Sequence, residues 1–143
     1  MNRDVKFRVW DKDYNEMLQV KAIVFDPKCL IPDGERMEPY ILDEHNDIHY
    51  LSDIELLEYT SCKDGNGVEI YEGDIVKVID KMPVEKYYGK EYICKIVYDK
   101  DRFIIENYYG SGTNRIAEEK FFNYKSIEVI GNIYENPKLL EVK

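Results

Sequence analysis

The chain has 143 residues, 44% of them hydrophobic, and 13 tyrosines, which predicts one folded domain or two small lobes that share a core. Its formal net charge is −9, and no cluster of lysine and arginine offers the positive face that a phosphate backbone requires. No apolar run approaches the roughly 20 residues that span a bilayer, which predicts a cytoplasmic protein without membrane contact. Cys29, Cys62 and Cys94 are too widely spaced for a ligand motif and are predicted to be reduced thiols.

Hydrophobic residues recur with a period near two, which predicts strands that turn one face inward. Turn-forming residues separate these strands, so the chain is predicted to form consecutive hairpins. Two segments could form short helices or equally well be extended: Leu51–Tyr59, with Ser52 as N-cap, and Asn114–Phe122. The clearest strand segments are Val5–Trp10, Met17–Phe25, Ile75–Ile79, Tyr92–Tyr98, Arg102–Tyr109 and Ser126–Tyr134. Apolar residues predicted to be buried in them include Trp10, Ile75, Val129 and Ile133.

The negative charge is concentrated between Asp33 and Glu58, where nine acidic residues accompany one base, Arg36, for a net charge of −8. Charge runs are commonly just solvated surface; the alternative is a mobile face that steers a basic partner protein. The acids proposed for such a contact are Asp43, Glu44, Asp47 and Asp53.

Metal-ligand chemistry occurs at a plausible spacing only in the stretch DEHNDIHY. If this stretch were a continuous strand, two aspartates and two histidines would project from one face and could bind zinc or a similar ion. These four residues are Asp43, His45, Asp47 and His49. Asn46-Asp47 is also a strong turn pair, and a hairpin there would divide the ligands between two strands. We favour the hairpin, and the sequence predicts neither a metal site nor a cofactor.

The glycine-rich stretch DGNG, residues 64–67, could be a ligand loop or a turn. A calcium loop needs further oxygen ligands and a distal glutamate, but the pattern ends after Asp64 and Asn66. The pair Asn66-Gly67 fits the two-residue hairpin turn in which both central residues need positive φ. We therefore predict that DGNG turns the chain and binds nothing.

The following stretch, Glu72-Gly73-Asp74, predicts a second tight bend before an alternating strand, as in small SH3-like barrels. Asp74 is a candidate acid, but a carboxylate in this position more often caps the turn. The sequence contains no serine-centred elbow and no histidine placed beside a nucleophile in a recognisable motif. It therefore shows no catalytic constellation.

Tyrosines provide the other candidate contact surface. A strand with two adjacent aromatic residues must turn one ring outward, where it could bind a partner, although cross-strand packing is the commoner use. The tyrosines concerned are Tyr87, Tyr88, Tyr92, Tyr108 and Tyr109. The one surface on which nucleic acid could bind combines the first three with Lys77, Lys81, Lys86, Lys90 and Lys95.

Three segments together resemble the YopX family of phage and prophage proteins. They are KFRVWDKDYNEML near the start, LEYTSCKDGNGVEIYEGDIVKV in the middle and IEVIGNIYENPKLL at the end, and they cover essentially the whole chain. Ser61-Cys62 departs from the pattern, which has threonine-glycine and then a branched apolar residue. The resemblance implies a mainly β protein with an N-terminal β lobe and a C-terminal SH3-like barrel. It implies no activity, cofactor or catalytic residue.

We therefore predict a mainly β chain with at most short helices. Residues 1–57 would form an N-terminal hairpin lobe, and residues 58–143 a partly open SH3-like barrel. The expected function is that of a phage or prophage accessory protein in the bacterial cytoplasm, which is not an enzyme and binds an unidentified host or phage protein. The alternative is association with nucleic acid, which the charge disfavours, and exposed strand edges would permit a homodimer.

Overall fold

The computed structural model describes residues 4–27, 37–81, 83–99, 102–106 and 125–141. These residues form ten β-strands and short 3-10 turns, and they contain no α-helix, so the predicted mainly β class is confirmed. The chain divides into two compact units, as the two-lobe prediction required. We call Lys6–Glu58 the N-terminal unit, and Tyr59–Lys143 together with Met1–Val5 the C-terminal unit.

The N-terminal unit is an antiparallel sheet with the strand order β4-β3-β2-β1-β5. Its strands are β1 (Phe7–Asp11), β2 (Glu16–Val24), β3 (Tyr40–Asp43), β4 (Ile48–Tyr50) and β5 (Ile54–Lys63), of which β5 continues past Glu58 into the other unit. Strand β1 lies between two neighbours, because Val9 pairs with Leu18 of β2 and with Leu56 of β5. The buried core of this unit consists of Val9, Leu18, Ile41 and Ile54.

The segment Leu51–Tyr59 adopts the extended alternative. A single 3-10 turn, Leu51–Asp53, precedes β5, and its N-cap is Tyr50, with no side-chain capping bond from Ser52. From Ile54 onward the backbone pairs with β1, and a helix could not supply those hydrogen bonds. Glu55 and Glu58 therefore belong to an amphipathic strand, whereas Asp53 lies in the turn that precedes it.

The C-terminal unit contains a four-stranded antiparallel sheet with the order β10-β7-β8-β9. Its strands are β7 (Asp74–Asp80), β8 (Glu91–Asp99), β9 (Arg102–Glu106) and β10 (Lys125–Asn132); β6 (Glu69–Tyr71) pairs with the end of β5. A 3-10 turn, Pro137–Leu140, follows β10. Within the described ranges the outer strands β9 and β10 do not pair with each other, so the sheet is not a closed barrel.

One face of this sheet forms the core of the C-terminal unit. The buried side chains alternate along its strands, as the period-two pattern predicted, and are Val76, Val78, Cys94, Ile96, Ile105 and Ile127; Ile70 of β6 belongs to the same core. Trp10 and Ile75 are buried, as predicted, whereas Val129 and Ile133 are half-buried. The helix candidate Asn114–Phe122 lies outside the described residues. No helical segment in the described ranges has the length and apolar character needed to span a bilayer.

Candidate functional site

The tip of the β3–β4 hairpin is fixed by the buried carboxylate of Asp43. Its Oδ1 accepts hydrogen bonds from the backbone N–H groups of His45 (2.8 Å) and Asp47 (3.0 Å). Asn46 occupies the left-handed region with φ 67°, a conformation that asparagine tolerates better than most residues. The stretch DEHNDIHY is therefore a hairpin and not a continuous strand.

This hairpin brings His49 between two carboxylates. Its Nε2 lies 2.8 Å from Oδ2 of Asp43, and its Nδ1 lies 3.6 Å from Oδ2 of Asp11. Asp11 repeats the arrangement of Asp43, because its Oδ1 accepts hydrogen bonds from the N–H groups of Asp13 (2.9 Å) and Tyr14 (3.4 Å) in the β1–β2 turn. The His49 side chain is only 16% exposed. Two hairpin tips are thus joined through one imidazole.

The hairpin divides the candidate ligands between two strands, as expected, but two of their side chains still meet. Asp43 and His49 lie on different strands, yet their side chains meet across the turn. His45 and Asp47 do not join them, because both are exposed at the tip. Among the described residues, no three His, Cys, Asp or Glu side chains are arranged to hold a metal ion.

Asp43 is an ionised structural carboxylate. Burial by itself opposes ionisation, but hydrogen bonds from His49 and from the N–H groups of Asp47 and His45 outweigh it and lower the pKa of Asp43. The side chain is buried and both oxygens are occupied, so it offers no surface to a partner protein. Of the other acids proposed for a basic partner, Glu44 and Asp47 are exposed and Asp53 is half-buried.

A cleft of about 180 Å³ opens beside His49 in the N-terminal unit. Its lining combines carboxylates with apolar and aromatic side chains, including Asp11, Asp13, Asp53, Tyr14, Ile48 and His49. We call it the acidic cleft. Tyr14 and Ile48 at this cleft are 79% and 44% exposed.

The DGNG stretch forms a turn whose type differs from the predicted one. The Asp64 N–H donates to the carbonyl of Val68 (2.8 Å), and the Gly67 N–H donates to the carbonyl of Asp64 (3.1 Å), which closes a three-residue loop. Only Gly67 has positive φ, at 80°, whereas the predicted two-residue turn also required it at Asn66. The extra loop residue accommodates the carboxylate of Asp64, which occupies the centre of the turn.

Asp64 links this turn to β10. Its Oδ1 accepts hydrogen bonds from the N–H groups of Asn66 (2.8 Å) and Val68 (2.9 Å), and its Oδ2 accepts one from Val129 (2.9 Å). Burial alone would raise the pKa of Asp64, but these three backbone N–H groups lower it. Asp74 has a similar place at the next bend, where it is buried and accepts from the Tyr71 N–H (2.8 Å).

The cysteines do not form a reactive site in the described part of the chain. Burial raises the pKa of the Cys94 thiol to about 12, and Cys94 lies in the core of the C-terminal unit. Burial also raises the pKa of Cys62, although a hydrogen bond with Thr60 opposes the effect. Because the thiolate is the nucleophile, neither residue is suited to covalent catalysis. Cys29 lies outside the described residues.

The segment Pro83–Lys90, which leads into β8, is held by backbone hydrogen bonds and presents apolar side chains to solvent. The N–H groups of Tyr87 and Tyr88 both donate to the carbonyl of Val84 (2.9 and 3.0 Å), and Gly89, with φ 83°, donates to the carbonyl of Asp80 (2.7 Å). Even so, Tyr88 is 63% exposed and Val84 is 41% exposed. We call the segment Pro83–Lys90 the tyrosine loop.

The remaining aromatic candidates differ in their surroundings. Tyr87 is half-buried beneath the ammonium group of Lys86, which lies 4.8 Å from the ring centroid. Tyr92 packs against the core of the C-terminal unit and is therefore not an exposed platform. Tyr108 and Tyr109 lie outside the described residues.

The lysines proposed to bind nucleic acid do not form one uniform positive surface. Lys77 forms an ion pair with Glu91 (3.7 Å), and Lys95 forms one with Glu106 (3.2 Å). Lys81, Lys86 and Lys90 are exposed, and no carboxylate of the described residues lies in ion-pair contact with them. Among these five lysines, the positive charges without an ion pair to a described carboxylate are therefore those of Lys81, Lys86 and Lys90.

Comparison with known proteins agrees with this two-unit β architecture. The family model described as YopX protein matches residues 6–141. The chain belongs to the YopX family. It is similar to the crystal structure of protein EF1440 from Enterococcus faecalis, with 28% identity and a TM-score of 0.62, over 98% of this chain and 100% of that one.

A second member of the YopX family with a similar structure is protein yopX from Bacillus subtilis. The two chains share 19% identity and a TM-score of 0.60, over 95% of this chain and 98% of that one, which shows the fold alone. No curated protein matches this chain. Membership of the YopX family thus supports the two-unit β fold, and it assigns no function to the surfaces described above.

Sequence reasoning missed Asp11 as a partner of His49. The stretch DKDYN, residues 11–15, is one of the turn-forming stretches between the predicted strands. An aspartate at the start of a turn often accepts hydrogen bonds from the next backbone N–H groups, as Asp11 does here. That signal predicts a fixed tip. It does not predict that the second oxygen faces a histidine 38 positions away, which follows from the pairing of β1 through β2 and β3 to β4.

Proposed function

We propose that this YopX-family chain is a non-enzymatic protein-binding module, encoded by a phage or an integrated prophage and acting in the cytoplasm of the bacterial host. The origin is inferred from the family resemblance. Three of the buried acids favour binding over catalysis, because their carboxylates hold the structure together. Asp64 and Asp74 accept hydrogen bonds from backbone N–H groups, and Asp43 contacts both backbone N–H groups and His49.

One observation carries the proposal: the tyrosine loop is held by backbone hydrogen bonds and still exposes Tyr88 and Val84. Exposed aromatic residues on ordered loops are typical of protein interfaces, where tyrosine supplies a large contact area at a small entropic cost. A loop that is already ordered loses little further freedom on binding. The tyrosine loop is therefore the proposed contact surface.

The experiment compares three affinity-tagged baits in lysate of a bacterial host. They are the unchanged chain, the double variant Val84→Ser/Tyr88→Ser, and the control Val68→Ser, which alters an exposed apolar residue on a different turn. We expect the unchanged chain and the control to recover the same host or phage protein, and the double variant to lose it. Equal recovery by all three baits, or recovery by none, contradicts the proposal.

A further inference from the structure

We propose that the tyrosine loop of one copy binds the acidic cleft of a second copy, so that the chain associates with itself head to tail. This inference rests on the proposed function and names the partner of the same loop. It joins two surfaces, one on each unit, whose polarity and charge are complementary.

The loop contributes an apolar tip with positive charge. Tyr88 and Val84 form the exposed apolar part; Lys86 lies between them in the sequence and Lys90 follows, and these two lysines outweigh the one exposed acid of the loop, Glu85. Neither lysine has an ion pair with a carboxylate in the described part of the chain, whereas Lys77 and Lys95 on the adjoining strands are neutralised locally. The tip of the loop thus offers an incoming acidic group two lysines that have no ion pair with a described carboxylate.

The cleft contributes the opposite charge and a matching apolar rim. Tyr14 and Ile48 offer exposed apolar surface, and Asp13 adds an exposed carboxylate on the turn that Asp11 fixes. The opening of about 180 Å³ suits one side chain and not an extended chain of several residues. If one tyrosine ring entered the acidic cleft, it would contact the apolar surface there, and a neighbouring lysine at the rim would pair with a carboxylate.

A second copy is the occupant that accounts for both surfaces at once. Nucleic acid would use the lysines and the tyrosine, but it would be repelled by the carboxylates of the cleft. A contact between different surfaces of identical chains is heterologous, and it closes into a ring or extends into a chain of subunits. A single loop buries less area than the roughly 1,200 Å² of a standard interface, so we expect weak, concentration-dependent association.

The first test measures the weight-average mass by sedimentation over a range of chain concentrations at low salt. We expect the mass to rise with concentration, and to fall back toward that of a monomer at about 0.5 M salt, where exposed charges are screened. Tyr88→Ala should weaken association about tenfold or more, as expected for a buried aromatic anchor. Val68→Ser, the matched exposed apolar control, should leave the association unchanged.

The second test exchanges charges between the two surfaces. Lys86→Glu and Asp13→Lys should each reduce self-association when present alone, because each places like charges in contact. An equimolar mixture of the two variants should restore association, since each loop then meets a cleft of opposite charge. Lys138→Glu, an exposed lysine in the C-terminal 3-10 turn, is the control and should have no effect.

Several outcomes overturn the inference. A chain that stays monomeric at every concentration, association unaffected by Tyr88→Ala, or a mixture that fails to restore association would each exclude the head-to-tail contact. A salt-dependent gel shift with single-stranded DNA that Lys86→Glu abolishes in a monomeric chain would assign the loop to nucleic acid instead. If the chain is monomeric but still captures a host protein through Tyr88, the proposed function stands and only this inference fails.

Discussion

The carboxylate of Asp64 accepts a 2.9 Å hydrogen bond from the backbone N–H of Val129, which lies 65 positions later in the chain. The same side chain also holds the Asn66 and Val68 N–H groups of its own turn. One buried residue thus connects the β5–β6 hairpin to β10, and the stability of the C-terminal unit depends on it.

We predict that Asp64→Ala lowers the free energy of unfolding by about 1–3 kcal/mol, because the Val129 N–H loses its partner in a partly buried position. Urea denaturation would measure the change. Asp47→Ala, which removes an exposed carboxylate from a different turn, should cost less than about 0.5 kcal/mol. If calcium raised the melting temperature of the unchanged chain, and Asp64→Ala abolished that response, DGNG would be a ligand loop after all.

The Asp43–His49 contact predicts a defined pH dependence. Asp43→Asn should cost about 1.5–3 kcal/mol at neutral pH, since it removes hydrogen bonds to an ionised group. The pKa of Asp43 is lower in the folded chain than the ordinary value of 3.8, so its contribution is present above that value and is lost as the pH falls through the folded pKa. The stability difference between the two chains should therefore shrink as the pH falls below the ordinary value of 3.8 and through the lower pKa of the folded chain. A difference that stayed constant over this range would show that Asp43 is not stabilised as a carboxylate.

Glycine is required at position 67 because of the backbone conformation there, and not because a side chain would clash with its surroundings. Its φ is 80°, and an added Cβ would meet no atom within 4 Å. Gly67→Val should therefore destabilise the chain by about 1–2 kcal/mol through the left-handed conformation alone. Gly67→Asn should cost less, because asparagine tolerates that region. Gly65→Ala is the matched control, since its Cβ would lie 3.7 Å from the Ile127 carbonyl and meet no clash.

Gly131, by contrast, is required because a side chain at this position would not fit. A Cβ there would lie 2.5 Å from Oδ1 of Asn136 and 3.0 Å from Cδ1 of Leu139, and that Oδ1 already accepts the Asn132 N–H at 3.2 Å. Gly131→Ala should cost about 1–3 kcal/mol in thermal or urea unfolding. In an Asn136→Ala background the same substitution should cost less. Equal costs in both backgrounds would mean that the close approach to Asn136 is not the cause.

Cys94 should react with a thiol reagent only after unfolding. With the pKa of its thiol raised to about 12, the thiolate fraction at pH 8 is about a thousandfold lower than for an ordinary cysteine, and burial blocks access as well. Alkylation followed by mass spectrometry of the peptide that contains Cys94 would measure its rate in native and urea-unfolded chain. Rapid native labelling would show that the core around Cys94 opens readily.

The longer strands were predictable because each buries one face. Every second residue of such a strand is apolar and points into the core, and this alternation is visible in the sequence. The short strands β3, β4 and β6 have three or four residues, which is too few for a period to be visible. Leu51–Tyr59 was ambiguous for a related reason: its apolar spacing suits a helix as well as a strand, and only the pairing with β1 decides between them.

The candidate surfaces were predictable in composition but not in arrangement. The tyrosines near β8 are recognisable in the sequence, but their surroundings differ: Tyr92 lies in β8 and packs against the core, whereas Tyr88 lies in the tyrosine loop and is exposed. The meeting of Asp11, His49 and Asp43 depends on the registers of three strand pairs, each fixed by the packing of the whole sheet. No local pattern in the sequence contains that information.

Three hairpin tips share one construction, a buried aspartate that holds the turn and a residue with positive φ near its end. The pairs are Asp11 with Asn15, Asp43 with Asn46, and Asp64 with Gly67. Because these end residues hold each tip, the solvent-facing side chains between them can be exchanged without disturbing the sheet. Lys12, Glu44 and Asn66 are accordingly suitable positions for a fluorophore, a spin label or a grafted epitope.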